Sequence, residues 1–170
     1  MTLEKYMKGN VWKFGDNVNS DIILSPITYG SLEEMKECLF KEIYPNFSEK
    51  VKSGDIIIAG KNFGCGSTRA SIPKSFELNE ISAVIAKSFG RIFYWNLIYE
   101  GIPLIQHPNI LEYFETGDVA EIDLGKYRVR NLTKGYGLDL PPINPIILDI
   151  LEKCGLVKKL EAEYGQSKKV

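Results

Sequence analysis

Residues 55–69 read Asp55-Ile56-Ile57-Ile58-Ala59-Gly60-Lys61-Asn62-Phe63-Gly64-Cys65-Gly66-Ser67-Thr68-Arg69. The run at 56–59 is apolar without alternation and rich in β-branched side chains. That is the pattern of a strand buried on both faces, as in a parallel sheet. A glycine-bearing loop follows over 60–66, then a helix over 67–79 that tolerates Pro73 only if it lies in the first turn or two. Ala83-Val84-Ile85-Ala86 is a second buried strand, 89–99 an aromatic-rich helix stopped by Gly101, and 102–105 a third strand. Strand, loop, helix, strand, helix, strand is a βαβ arrangement with parallel pairing.

Working outward, the N-terminal side predicts strands over 10–14 and 21–24 and a helix over 31–42. Ser31 caps that helix, Glu33 and Glu34 sit in its first turn, and Pro45 ends the region. Downstream, 119–124 and 127–132 alternate about Gly125-Lys126 and predict an antiparallel hairpin. Pro141-Pro142 breaks the chain before a helix over 145–154, and a charged helical tail occupies about 156–170. The expected architecture is a single α/β domain over 1–170, with a central mostly parallel sheet or partial barrel, flanking helices and an antiparallel hairpin.

The composition excludes several classes. Among 170 residues, 21 Lys and Arg face 22 Asp and Glu, a net charge of −1, without the basic excess of a nucleic-acid-binding protein. There is one histidine, His107, and the three cysteines, Cys38, Cys65 and Cys154, form no C-x-x-C pair. Those residues build neither a closed zinc site nor a four-thiolate cluster, so no metal site is expected in this chain. Sparse, odd cysteines fit a reducing compartment. No apolar run reaches signal-peptide or membrane-spanning length, so the expected location is the cytoplasm.

The loop after the first buried strand carries the chemistry. The carboxyl ends of parallel strands are where ligands bind. Gly64 and Gly66 permit positive φ and close backbone approach to a ligand, and the following helix presents free N–H groups and a partial positive charge. Arg69 adds a planar cation suited to a carboxylate or phosphate, and Ser67 and Thr68 add hydroxyls. An anion pocket is one reading; a glycine turn with a serine cap is the other, and the residues alone leave both open. The Walker A pattern fails because no lysine precedes Ser67, and the dinucleotide pattern fails because Arg69 stands where its third glycine belongs.

Gly64-Cys65-Gly66-Ser67-Thr68-Arg69 resembles the G-x-G-S-S-R signature of the aconitase swivel-domain family, in the form of the separate small subunits of 3-isopropylmalate dehydratase and homoaconitase. Val11-Trp12-Lys13-Phe14-Gly15-Asp16-Asn17-Val18-Asn19-Ser20-Asp21 is similar to that family's N-terminal motif. Gly54-Asp55-Ile56-Ile57, Ser88-Phe89-Gly90-Arg91-Ile92-Phe93-Tyr94, Gly101-Ile102-Pro103-Leu104 and Asn131-Leu132-Thr133 also match. The likeness runs along nearly the whole chain in order. It implies a swivelling domain that serves a hydro-lyase acting on small hydroxydicarboxylates. It also implies a large partner subunit carrying a [4Fe–4S] cluster. Ser67 stands at the position of the base that takes the carbon-bound proton, and Thr68 and Arg69 stand where the substrate carboxylate binds.

Three departures accompany the resemblance. Ala70-Ser71 replaces the usual Glu-His after the arginine; Thr68 replaces a serine; and Ser25-Pro26-Ile27-Thr28-Tyr29-Gly30, the expected substrate-specificity loop, is shortened and lacks an arginine. Pro26, Ile27, Thr28 and Tyr29 therefore point to a small or apolar substrate group, with isopropylmalate favoured over dimethylmalate, citramalate or homoaconitate. A non-catalytic anion-binding or regulatory module is the alternative that the lost Glu-His pair motivates. Asp16 and Asp21 are read as lining the site or as local turn caps. Cys65 is a weaker candidate nucleophile, His107 a turn residue, and Phe89, Phe93, Tyr94 and Trp95 core or interface. Without its partner the chain is left open as a homo-oligomer.

Overall fold

The computed structural model describes residues 5–25, 29–67 and 69–165. Its strands are β1 (Tyr6–Lys13), β2 (Ile56–Ala59), β3 (Ala83–Ala86), β4 (Leu104–Gln106), β5 (Val119–Asp123), β6 (Arg128–Asn131) and β7 (Tyr136–Asp139). They form one sheet in the order β4-β3-β2-β1-β5-β6-β7. The β1–β2, β2–β3 and β3–β4 pairs are parallel, and the β1–β5, β5–β6 and β6–β7 pairs are antiparallel. The sheet is thus evenly divided, and β1 is the seam: Val11 to Lys13 pair with β2, while Tyr6 to Asn10 pair with β5.

Alternation across the buried strands builds two cores. Ile57, Ala59, Val84 and Ala86 face a helical layer containing Phe40, Phe63, Phe76 and Phe93. Ile56, Ile58, Ala83 and Ile85 face the other way and pack with Ile110, Phe114, Ile122 and Val129. The antiparallel strands therefore curl over the second face, which is the partial barrel expected from the sequence. The helical layer comprises α1 (Ser20–Ile23), α2 (Leu32–Glu37), α3 (Phe47–Lys50), α4 (Ser71–Leu78), α5 (Arg91–Glu100), α6 (Pro145–Glu152) and α7 (Leu156–Tyr164). Among the described residues, no helix is long and apolar enough to cross a membrane.

Several local expectations change. The strand read over 21–24 is helix α1, because the Asn19 side chain accepts the N–H groups of Asp21 and Ile22 and nucleates a turn. The helix read over 31–42 stops after Glu37. Phe40 adopts φ 53°, a left-handed conformation, and sinks its ring between Phe14, Phe47 and Phe76. Burial of that ring outweighs continuation of an exposed helix. Helix α4 begins at Ser71, so Pro73 lies in its first turn, where no intrahelical N–H is needed. The hairpin gains a third strand, β7, which is mostly exposed and contains Gly137, so it shows no alternation to read.

Candidate functional site

The loop between β2 and α4 is built as one half of a ribbon. Its other half is the segment 15–20. The Gly60 N–H donates to the Gly15 carbonyl (3.1 Å), the Asn17 N–H to Lys61 O (2.7 Å), the Gly64 N–H to Val18 O (2.8 Å) and the Ser20 N–H to Cys65 O (2.7 Å). Asp16 Oδ1 accepts the Lys61 N–H at 2.7 Å, and a Cβ on Gly60 would fall 2.0 Å from that same oxygen. Asp16 is therefore a latch between the two loops and not a cap of its own turn; the capping role belongs to Asn19.

Phe63 anchors the loop. It is fully buried and meets Phe93 edge-on, with ring centroids 5.5 Å apart. Such a burial stabilises the anchored segment by roughly 1.5–3 kcal/mol. The two signature glycines then diverge. Gly64 is buried at φ 73°, and a Cβ there would lie 2.1 Å from the Phe93 ring. What fills the Cβ side of Gly64 is the aromatic ring of Phe93 on α5. Gly66 is exposed at φ 99°, and its free side faces Ser20.

Ser67 is exposed at the outer bend, and among the described residues no group hydrogen-bonds to it. Two residues on, Arg69 is held on α1: Nη1 reaches Asp21 Oδ1 at 2.8 Å and Nη2 reaches the Leu24 carbonyl at 2.5 Å. The Asp21 side chain is 54% exposed and that of Arg69 33%, so the pair is solvent-screened and contributes at most about 1 kcal/mol. Its effect is to aim the guanidinium while leaving donors unused. Asp21 thus belongs to the site through Arg69. Tyr29 lies within electrostatic reach of Arg69. Its hydroxyl donates to Ser25 O at 2.5 Å. Burial pushes its phenol pKa up, as does Cys38, with partial offset from Arg69. Thr68, Pro26, Ile27 and Thr28 lie outside the described residues.

Sequence reading missed Ser20. It is fully buried, and among the described residues its Oγ has no hydrogen-bond partner. An unpaired buried hydroxyl costs about 1–3 kcal/mol, so such groups are rare in a settled structure. Ser20 was visible only as part of the N-terminal motif. His107 is a turn residue as read: its Nδ1 accepts the Asn109 N–H at 3.3 Å, and burial lowers its pKa.

The site is an open surface. A cavity of about 510 Å³ lies elsewhere, against the edge strand β4, and is lined by Arg91, Tyr94, Trp95, Gln106, Pro142 and Ile147 among others. None of Ser67, Arg69 and Gly66 lines it. Among the described residues, no three His, Cys, Asp or Glu side chains come together to hold a metal, and Cys38, Cys65 and Cys154 lie apart along the chain. The described residues therefore offer no donor set that fits an iron–sulfur cluster.

Residues 13–109, from the end of β1 through β4 and its following turn, match the aconitase C-terminal domain family. The chain belongs to that family. The matched span contains the whole ribbon and signature loop of the site. Relatives extend the likeness past it. The 3-isopropylmalate dehydratase small subunit of Thermodesulfovibrio yellowstonii is 41% identical over 155 residues, covering 89% of this chain and 92% of its own. The isopropylmalate/citramalate isomerase small subunit of Methanocaldococcus jannaschii is 41% identical and covers 97% of this chain and 99% of its own. A methanogen homoaconitase small subunit from Methanothermobacter thermautotrophicus is 42% identical over 158 residues, 91% of each chain. The crystal structure of a 3-isopropylmalate dehydratase from Methanocaldococcus jannaschii matches with a TM-score of 0.88 at 37% identity, covering 97% of this chain and 99% of that one. The aconitase-family fold is therefore shared over the antiparallel half as well.

Proposed function

We propose that this chain is the small subunit of a two-chain hydro-lyase that isomerises a hydroxydicarboxylate, with the isopropylmalates as substrate. The observation that carries the reading is the arrangement at the loop tip: an exposed serine without a partner among the described residues, two residues from an arginine pre-aimed by α1 and its C-cap. The names of the aconitase-family relatives support the reaction class.

Removing water across a carbon–carbon bond needs a base for the carbon-bound proton and assistance to the departing hydroxyl. Ser67 is the base in this reading. A serine hydroxyl is weak in that role, and it requires nearby cationic charge and N–H donors to stabilise the alkoxide. Arg69 and the start of α4 provide these, and α4 offers its terminal N–H groups without a competing side-chain cap. Arg69, with Thr68, holds a substrate carboxylate in the bidentate manner open to a guanidinium. Activation of the hydroxyl has no candidate in this chain; we assign it to the large subunit, together with the [4Fe–4S] cluster that the family resemblance implies. Ala70 and Ser71 occupy the N-cap and first position of α4, so the family's missing Glu-His pair stood at the helix entrance, beside the base. We place the assembled enzyme in the cytoplasm, where the sparse, odd cysteine count of this chain fits a reducing environment.

The test is co-expression with the large subunit, followed by turnover on 2- and 3-isopropylmalate, citramalate, dimethylmalate and homoaconitate. The expected result is a stable heteromeric complex with highest kcat/KM on an isopropylmalate. A complex that forms but turns over none of the panel favours the non-catalytic reading; preference for citramalate keeps the reaction class and replaces the substrate.

A further inference from the structure

The mechanism leaves one group unused. Ser20 sits at the start of α1, directly beneath the signature loop. Its backbone is fully engaged: the N–H donates to Cys65 O at 2.7 Å, and the carbonyl accepts the Leu24 N–H at 3.0 Å. Its side chain is completely buried, yet among the described residues the Oγ has no partner. That oxygen lies 3.0 Å from the point where a Cβ on Gly66 would stand, so it is directed at the underside of the loop. Above it, among the described residues, the backbone N–H groups of Gly66 and Ser67 also lack acceptors. Among the described residues, an unpaired hydroxyl beneath Gly66 and unpaired N–H groups at Gly66 and Ser67 thus lie on neighbouring segments. An alanine at 20 would fill the same space without the desolvation cost. The hydroxyl is explained by a state in which it is paired.

We infer that Ser20 is a positioning residue for Ser67: in the assembled, substrate-loaded enzyme, its Oγ accepts the Ser67 backbone N–H and fixes the direction of the Ser67 hydroxyl. The inference rests on the reading of Ser67 as the base. It also gives α1 a single purpose. The same four-residue helix and its C-cap clamp Arg69 through Asp21 and Leu24, so base and carboxylate-binding cation are referenced to one element. The absence of a side chain at Gly66 lets the segment settle onto Ser20.

The experiment compares Ser20→Ala and Ser20→Thr in the complex with the large subunit. Ser20→Ala should lower kcat about 10- to 100-fold with KM within about threefold, as expected for a small misplacement of a reacting group. Its melting temperature should be unchanged or higher. Ser20→Thr, which keeps the hydroxyl, should restore most of kcat. On a Ser67→Ala background, Ser20→Ala should add no further loss, because the two act as a unit. Unchanged kcat in Ser20→Ala, or a loss matched by a lower melting temperature, overturns the inference. So does an additive loss in the double variant. If Ser67→Ala itself retains turnover, the base assignment has failed. Amide exchange at Ser67 then decides the contact on its own: slowed by complex formation with substrate in the wild type and not in Ser20→Ala, or equal in both and the contact is absent.

Discussion

The two halves of the sheet share β1 and little else. In the parallel half every residue of β2 and β3 is buried, and each strand returns through a helix, so the connecting loops collect at the carboxyl ends. In the antiparallel half β6 alternates exposed and buried residues, the turns are short, and the open face carries charges. Four carboxylates there, Glu115, Asp118, Glu121 and Asp123, are all held below their usual pKa. The family match of residues 13–109 covers the parallel half and stops before β5. The difference shows a division of labour: crossover loops present the candidate site, and the meander closes the second core and braces the seam strand.

That division can be broken by substitution. The largest effect is expected from Ser67→Ala, which should lower kcat of the reconstituted complex about 10²- to 10⁴-fold, the usual range for a lost general base. Because Ser67 is exposed and unbonded among the described residues, its melting temperature should not change. Substantial residual turnover would separate the loop from the chemistry. Gly64→Ala comes next, since it forces a methyl group into the Phe93 ring at a positive φ. A loss of about 3 kcal/mol in urea unfolding is expected, together with lost activity. Relief by Phe93→Ala would identify the clash as the cause.

The antiparallel half should respond in stability alone. Ile122→Val, at a fully buried position, should cost about 1 kcal/mol while leaving kcat per folded complex unchanged. A disproportionate fall in kcat would show that the meander reaches the site.

Acid should act on this half too. Burial pushes Asp118 upward, but the Glu115 N–H, the Asn131 amide and the Lys134 ammonium outweigh it, and the net shift is downward. A depressed carboxylate stabilises the fold fully above its unfolded pKa, near about 3.9, and loses that contribution as pH falls toward the folded value. The melting temperature should therefore drop more steeply below about pH 4 in the wild type than in Asp118→Asn. The smallest effect is expected from Arg130→Ala. Its ion pair with Glu121 is 52% exposed on the arginine side, and thermal unfolding should register less than about 1 kcal/mol.

Much of the parallel half was legible because its signals are local. Four-residue apolar runs, a glycine loop and a helix-stopping Gly101 need no tertiary knowledge. The cluster of Ser67 and Arg69 was legible by resemblance and by the electrostatics of the segment. The strand reading of 21–24 failed because Ile22, Ile23 and Leu24 show the same apolarity in a buried turn of helix as in a strand. That Phe93, 29 positions on, fills the Cβ side of Gly64 cannot be placed from spacing.

By itself the sequence determined a parallel βαβ core, a polar loop at the carboxyl end of its first buried strand and a cysteine count below that of a four-thiolate cluster. Those follow from short-range periodicity and from counting side chains. Only the tertiary structure decided that β1 joins two kinds of sheet, that Asp16 latches the two loops, that Asp21 aims Arg69 and that Ser20 waits unpaired beneath Gly66. Each is a contact between residues 45 to 48 positions apart or a register across the sheet. Such contacts form because separate elements bury a common core, and no local pattern encodes which polar groups that burial brings face to face.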